Sequence, residues 1–257
     1  MIDQLFQELS VLPQVEAIAL GGSRAGTQFD AKSDYDVYLY CTAPVPEETR
    51  REILSRHCSY MEIDNHFWEQ EDNCTLNDGV DIDILYRDLD SFTAGVAAVV
   101  EGFEAHNGYT TCMWHNLKTC RILYDENGRL TAAQRRFDVP YPAELKRSII
   151  GRNRKLLHGT LPAYDGQIRK AAGRGDLVSV NHRVAAFLES YFDILFALNE
   201  QTHPGEKRLV SLCRQRCPLL PDRFEENLAA LWQDMFTDPV KLAEDLAQII
   251  RELEKLL

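Results

Sequence analysis

The sequence predicts an α+β protein, in which a small mixed-sheet domain over residues 1–138 precedes an all-α helical bundle over residues 139–257. Two observations favour this order. Helical and strand-like patterns alternate in the first half, whereas the pattern of the second half is almost entirely helical. Between the halves, Pro140 and Pro142 interrupt regular structure twice, because proline fixes φ and lacks a backbone donor. We therefore place the domain boundary there.

The first domain contains five segments with a clear period. In chain order they are a helix over residues 3–12, a buried strand over Val15–Leu20, a second strand over Asp36–Cys41, a charged helix over Glu47–His57 and a half-buried strand over residues 80–86. The last segment alternates aspartate with apolar residues, which is the period of a strand with one buried face. Asp81 and Asp83 are therefore expected on the face opposite Ile82.

Apolar residues of the second domain recur at helical spacing. One such series is Val184, Leu188, Tyr191, Leu195 and Leu198. The last predicted helix has Asp238 as its N-cap and Pro239 at its first position, where proline costs no hydrogen bond. Its apolar stripe consists of Leu242, Leu246, Ile249, Leu253 and Leu256. These stripes predict helices that pack against one another.

Composition limits the class of partner. The chain has 257 residues, 45% of them hydrophobic, and a formal net charge of −12 from 28 basic and 40 acidic side chains. A protein that grips nucleic acid normally carries a basic face, so this balance argues against a nucleic-acid partner and favours a small or cationic one. A local basic patch remains possible over residues 146–155.

The chain is expected to be cytoplasmic, without a membrane partner. Its first residues lack the features of a signal peptide, and the apolar run Ala94–Val100 is far shorter than the ~20 residues that span a bilayer. Seven cysteines at irregular spacing indicate reduced thiols and not a disulfide framework.

The most informative motif joins two glycines to two carboxylates. An apolar run ends in Gly21, Gly22 and Ser23, and Asp34 and Asp36 then open a second β-rich run. Glycine lets backbone N–H groups approach phosphate oxygens, because no Cβ lies in the way. Carboxylates at i and i+2 of a strand point to one face, where they can share divalent metal ions.

This motif resembles the signature of the nucleotidyltransferase superfamily, which has the DNA polymerase β-like fold. A third carboxylate is expected on a later strand, and Asp83 fits better than Asp81 because apolar residues flank it and lead into Leu85. A looser resemblance, over Phe196–Asn199 and Pro204–Arg208, is to the helical C-terminal part of bacterial nucleotidyltransferases, among them antibiotic-modifying enzymes.

The resemblance implies roles for individual residues. Asp34, Asp36 and Asp83 would be the catalytic carboxylates and would bind two Mg²⁺ ions, with ATP as co-substrate. The nucleotide-binding residues would be Gly21, Gly22, Ser23, Arg24 and Lys207. Which of Asp81 and Asp83 is the third carboxylate, and which group acts as general base, stay open.

The implied activity is transfer of AMP from ATP to a hydroxyl group of a small molecule, such as an aminoglycoside or lincosamide antibiotic. Two alternatives are an antitoxin-like enzyme that modifies a protein or tRNA, and a nucleotide-binding regulator without turnover. The acceptor, the preferred base and the oligomeric state do not follow from the sequence.

Two further patterns of the second domain allow both a functional and a structural interpretation. Glu189 and Asp193 lie one helical turn apart, so they could attract a cationic acceptor or form a solvated helix face. Arg152, Asn153 and His158 resemble the Arg-Asn…His motif of HEPN ribonucleases, which a helix with scattered basic residues also produces.

Overall fold

The computed structural model of the protein describes residues 2–25 and 33–257. The chain forms two compact units. The first contains the residues up to Ala97 together with Asn116–Val139, and the second contains Ala98–His115 and Pro140–Leu257. Residues 98–115, which the sequence-based boundaries assign to the first domain, thus belong to the second unit.

The first unit is built around a mixed β-sheet. Its strands are β1 (Val15–Leu20), β2 (Tyr35–Cys41), β3 (Cys58–Asn65), β4 (Glu71–Leu76), β5 (Asp81–Arg87) and β6 (Arg121–Asp125). The helices that begin or end in this unit are α1 (Ile2–Ser10), α2 (Gly22–Ala25), α3 (Glu47–Leu54), α4 (Leu89–Val100), α5 (Cys112–Thr119) and α6 (Arg129–Arg136).

The strand order of this sheet is β3-β4-β5-β2-β1-β6. Its pairs are antiparallel except for β2 with β5, which run parallel. In that parallel pair Asp36 lies beside Asp83 and Val37 beside Ile84. A parallel pair needs a crossover connection, and here the chain between β2 and β5 supplies α3, β3 and β4.

One face of the sheet forms the hydrophobic core of the first unit. Val37, Leu39, Ile82 and Ile84 are fully buried on this face because β-strand side chains alternate between the two faces. They pack in one cluster with apolar residues of the two covering helices, which are Leu5 and Leu9 of α1 and Ile53 and Leu54 of α3.

A buried ion pair also lies within the first unit. Arg50 of α3 donates from Nη1 to Asp72 of β4 at 2.5 Å and from Nη2 to Asp64 at 2.8 Å. The Tyr86 hydroxyl donates to the other oxygen of Asp72 at 2.7 Å, and the Asp64 amide donates to Asp72 at 2.8 Å. Asp72 is fully buried, so each of its bonds replaces lost solvation.

The second unit is helical. Its helices after residue 140 are α7 (Ala143–Leu157), α8 (Tyr164–Ala172), α9 (Leu177–Leu198), α10 (Leu209–Arg216), α11 (Phe224–Asp234) and α12 (Pro239–Glu254). The long helix α9 contributes Val184, Phe187, Tyr191 and Leu195 to a single buried cluster. Leu242, Leu246, Ile249 and Leu253 of α12 join the same cluster.

The start of α12 confirms the cap predicted from the sequence. The Asp238 side chain accepts from the amides of Val240 at 3.0 Å and Lys241 at 3.1 Å, and Pro239 occupies the first turn. Two of the N–H groups that the first turn of a helix leaves unpaired are thereby satisfied.

A second buried polar network lies in the helical unit. Asp193 of α9 is 1% exposed and accepts from the Thr110 amide at 3.0 Å and the Thr110 hydroxyl at 2.7 Å. The Asn153 side chain donates to Asp193 at 3.1 Å and accepts from the Gly108 amide at 3.1 Å. These bonds fix the segment over residues 108–110.

None of the helices described is long and apolar enough to cross a membrane.

Candidate functional site

Two of the predicted catalytic carboxylates lie side by side. Asp36 of β2 and Asp83 of β5 are register partners in the parallel pair, and adjacent strands of a sheet are about 4.8 Å apart. Val37 and Ile84, the next residues of the two strands, point into the buried core. The side chains of Asp36 and Asp83 therefore project from the opposite face of the sheet. The motif and the later strand thus contribute one carboxylate each to the same place.

Asn73 of the neighbouring strand β4 orients Asp83. Its side-chain amide donates to Asp83 Oδ1 at 2.8 Å, and its own carbonyl oxygen accepts from Asn65 at 2.7 Å. Asp81, the alternative third carboxylate, is exposed and accepts from the Thr75 hydroxyl at 2.8 Å. The register places Asp83, and not Asp81, beside Asp36.

Both glycines of the motif lie where a side chain would collide. A Cβ on Gly21 would lie 2.3 Å from the Tyr38 ring. A Cβ on Gly22, whose φ is +55°, would lie 1.7 Å from Asp36 Oδ2. The Asp36 carboxylate therefore rests directly against the backbone at the start of α2. The Gly21 amide donates to the Asp36 carbonyl oxygen at 2.7 Å, so that donor is already used.

The remaining residues of the motif take separate positions. Asp34 precedes β2 by one residue and is half-buried, as is Ser23 in α2. Arg24 donates from Nε to the Ser33 carbonyl oxygen at 2.6 Å, and its guanidinium group lies 3.9 Å from the centre of the Tyr35 ring. Arg24 thus ties α2 to the start of β2, and its contact with a nucleotide stays a prediction.

The electrostatics of this face are dominated by carboxylates. Glu71 of β4 is half-buried on the same face as Asn73. Burial raises the pKa of Glu71, and the negative charge of Asp83 raises it further. Within residues 2–25 and 33–257, no three His, Cys, Asp or Glu side chains are grouped so that they could hold a metal ion.

The carboxyl-terminal ends of β2 and β5 are closed by aromatic and basic side chains. The Arg87 guanidinium group lies 4.2 Å from the centre of the Tyr38 ring and makes two hydrogen bonds of 2.7 Å to Glu69. The Tyr38 hydroxyl accepts from Asn116 at 2.6 Å. The charges of this end are thus paired with each other, whereas Asp36 and Asp83 lie nearer the amino-terminal ends of the same strands.

The other predicted residues lie in the second unit. Lys207 is exposed in the turn before α10, and its role in nucleotide binding stays a prediction. Asp193 and Asn153 belong to the buried network described above, so neither is on a solvated helix face. Glu189 is half-buried and lines a cavity of the helical unit.

Asn73 and Glu71 were not among the residues predicted from the sequence. Their strand shows alternating burial, with Asp72, Cys74 and Leu76 on the buried face. Asp72 is charged, so the alternation of apolar and polar residues from which a strand is predicted is interrupted at this buried position. No other sequence signal distinguishes Asn73 from an ordinary polar strand residue.

The chain resembles known proteins only distantly. One family model, described as a domain of unknown function (DUF4037), matches residues 110–209. No curated protein matches the chain. Similar solved structures include a nucleotidyltransferase-like protein from Exiguobacterium sibiricum 255-15, with 12% identity, a TM-score of 0.44, and coverage of 99% of this chain and 72% of that chain.

Two further similar structures cover 99% of this chain. An aminoglycoside 6-adenyltransferase from Bacillus subtilis has 9% identity and a TM-score of 0.31, with 89% of that chain covered. The CCA-adding enzyme of Thermotoga maritima, solved in complex with tRNA_CCA, has 11% identity and a TM-score of 0.33, with 80% covered. Identities and TM-scores this low do not transfer an activity to this chain.

Proposed function

We propose that the protein is a metal-dependent nucleotidyltransferase that moves AMP from ATP to a hydroxyl group of a small molecule. The observation that carries this proposal is the lateral pairing of Asp36 with Asp83 against the backbone of Gly22. Two carboxylates beside a glycine-containing turn suit a triphosphate that arrives with a divalent cation.

The donor set fits Mg²⁺, which prefers oxygen ligands and usually takes only one or two carboxylates from the protein. Asp36 and Asp83 would hold the ion, and Asp34 would join them from the residue before β2. When bound, the cation supplies charge neutralisation at the phosphate oxygens.

Three groups of the chain itself would position the reactants. The amides of Gly22 and Ser23 begin α2, and the first N–H groups of a helix have no carbonyl partner within it, so they would donate to phosphate oxygens. Asn73 keeps Asp83 in a fixed orientation through the hydrogen bond to Oδ1. Asp83 Oδ2 would then face the cation or accept the proton of the acceptor hydroxyl.

The acceptor class in this proposal is an amine-bearing small molecule, of which aminoglycoside and lincosamide antibiotics are examples. The net charge of −12 supports it, because a negative protein attracts cationic ligands and repels polyanions.

The test measures pyrophosphate release from ATP and Mg²⁺ with a panel of aminoglycoside and lincosamide acceptors. Asp36→Asn and Asp83→Asn are each expected to lower turnover more than about 100-fold, because each removes a charged metal ligand. Asp81→Asn is the matched control: it lies on the same strand, two residues from Asp83, and should keep most of the activity.

Retained turnover in both Asp36→Asn and Asp83→Asn would contradict the metal assignment. A dead Asp81→Asn beside an active Asp83→Asn would exchange their roles. Isothermal titration with ATP and Mg²⁺ separates binding from transfer. Binding without turnover on any acceptor would point to a nucleotide-binding regulator and overturn the proposed activity.

A further inference from the structure

The second unit contains a cavity that the proposed chemistry does not use. Its volume is about 710 Å³, within the range of roughly 300–1,000 Å³ that is usual for small-molecule sites. The walls come from α9, α10, α11 and the segment around Tyr109. Apolar and aromatic lining side chains include Leu188, Phe192, Val210 and Trp232.

The charged lining of the cavity is unbalanced. Arg214 forms an ion pair of 3.1 Å with Glu225, so these two charges compensate each other. Glu189, Glu206 and Arg208 are the other charged residues of the lining. In the part of the chain that the structure describes, the carboxylates of Glu189 and Glu206 make no hydrogen bond and no ion pair. Two carboxylates thus face the cavity against one guanidinium group.

Glu189 is the more informative of the two carboxylates. It is half-buried beside apolar residues, and burial raises its pKa despite the opposing effect of His182. A desolvated carboxylate without a partner is costly, and a cation placed beside it would recover the lost solvation. An apolar cavity with such a carboxylate in its wall therefore suits a ligand that is both hydrophobic and positively charged.

The backbone around Tyr109 is held firmly against this cavity. Tyr109 has a φ of +53°, a left-handed conformation that non-glycine residues rarely adopt. Its two neighbours are fixed by the buried network, since the Gly108 amide donates to Asn153 and the Thr110 amide donates to Asp193. A residue keeps a strained backbone conformation only where its neighbours hold it there. Here the hydrogen bonds of Gly108 and Thr110 hold Tyr109, whose side chain lines the cavity.

Tyr109 and Glu189 are also packed closely through Gly108. A Cβ on Gly108 would lie 2.8 Å from the Cβ of Glu189, so only glycine allows this approach. Burial raises the pKa of Tyr109, and the negative charges of Glu189 and Glu206 raise it further. Glu189, Glu206 and Tyr109 thus all belong to the lining of the same cavity.

We propose that this cavity binds an amphipathic organic cation, an arylalkyl- or alkylammonium compound whose charged group contacts Glu189 and Glu206. The apolar body of the ligand packs against Leu188, Phe192 and Trp232. The site lies wholly within the second unit, so the proposal goes beyond nucleotidyl transfer and does not depend on it.

The test uses three probes that share a body and differ in the head group: 4-phenylbutylamine, 4-phenylbutan-1-ol and 4-phenylbutyrate. Isothermal titration with the full chain at pH 7.5 is expected to show that the amine binds about 10-fold or more tighter than the alcohol, because a hydrogen bond to a charged partner is worth that much. The carboxylate probe should bind weakest.

Matched variants assign the effect to the cavity. Glu189→Gln should weaken the amine about 10-fold and leave the alcohol unchanged. Glu48→Gln, which removes an exposed carboxylate from α3 of the first unit, should change neither probe. Trp232→Ala should weaken the amine and the alcohol alike. If thermal unfolding shows that Glu189→Gln is not folded, Glu206→Gln, at an exposed position, takes its place.

Equal binding of amine and alcohol to the wild-type chain would overturn the proposal, as would equal effects of Glu189→Gln and Glu48→Gln. Asp36→Asn, which should abolish transfer, is expected to keep amine binding. Loss of transfer with intact amine binding, or the reverse, therefore distinguishes failure of the proposed activity from failure of this site.

Discussion

Each unit buries one aspartate almost completely, and the two units compensate the charge differently. Asp72 of the first unit is 0% exposed and is bonded to the guanidinium group of Arg50 and the hydroxyl of Tyr86. Asp193 of the second unit is 1% exposed and is bonded only to neutral donors, from Thr110 and Asn153. A cation balances the first carboxylate, and dipoles alone surround the second.

The neutral donors around Asp193 do not hold its pKa at the usual value. Burial raises the pKa of Asp193 to about 6, although three neutral donors oppose the shift. Around Arg50, by contrast, the pKa of Asp64 is lowered to about 2 by hydrogen bonds from Gln70, Arg50 and His66. Asp193 is therefore expected to titrate at mildly acidic pH, and Asp64 only in strong acid.

The largest expected effect comes from removing Asp72. Asp72→Ala leaves Arg50 buried without its main partner, and breaking a buried ion pair typically costs 3–5 kcal/mol, so we expect a loss of about 3–5 kcal/mol in the free energy of unfolding. Urea denaturation at pH 7 measures it.

The double variant Arg50→Met with Asp72→Leu is the control for that loss. It removes both charges, so it should recover most of the stability. A loss below about 1 kcal/mol for Asp72→Ala would show that Arg50 does not need this partner.

The pH dependence of Asp193 is the next largest effect. Its folded pKa of about 6 lies above the usual 3.8 of an aspartate, so its favourable contribution is fully present below about pH 4 and is lost as the pH rises through 6. At 1.36 kcal/mol per pKa unit, the stability difference between wild type and Asp193→Ala should be larger by about 2 kcal/mol at pH 4 than at pH 7.

Urea denaturation at several pH values tests this sign. Asp222→Asn, at an exposed position of the same unit, is the control and should leave the pH profile of the wild type unchanged. Parallel profiles for the wild type and Asp193→Ala would show that Asp193 titrates as an ordinary surface carboxylate.

The smallest expected effect is at Asp64, the outer partner of Arg50. Its side chain is 37% exposed, so solvent screens the ion pair and Asp64→Asn should cost no more than about 1 kcal/mol at pH 7. Because the pKa is lowered, this contribution exists above about pH 4 and is lost as the pH falls towards 2. A cost equal to that of Asp72→Ala would mean that burial does not distinguish the two partners of Arg50.

The elements with undisturbed periodicity were predictable from the sequence. Val15–Leu20 and the start of α12 at Pro239 match the structure, and the strand predicted over residues 80–86 is shifted by one residue to Asp81–Arg87. The helix expected over Glu47–His57 ends at Leu54, and the one expected over residues 3–12 runs from Ile2 to Ser10. Helix ends are set by local capping contacts that periodicity does not reveal.

The strands β3, β4 and β6 were not predicted, for physical reasons. In β4 a buried aspartate occupies a position that an apolar residue would normally mark, and its partners, Arg50 and Tyr86, are distant in sequence. β3 lies at the edge of the sheet, and all its residues except Cys58 are half-buried or exposed, so it has little apolar pattern to detect.

The residues of the candidate site are a prediction from the sequence, whereas their geometry required the folded sheet. Motif spacing nominated Asp34, Asp36 and Asp83 as carboxylates. The adjacency of Asp36 and Asp83 depends on the parallel register of two strands that are distant in sequence, and register is a property of the folded sheet. The position of Asn73 beside Asp83 depends on strand register in the same way, so Asn73 was not predicted.

The parallel pairing of β2 with β5 has a consequence for how the protein is made. Residues 42–80 must be synthesised and folded across the sheet before Asp83 can reach Asp36. Contacts between distant parts of a chain form late, because loop closure costs entropy before it is repaid. A nascent chain that ends before β5 therefore lacks Asp83, and the proposed cation site would be complete only when the crossover has folded.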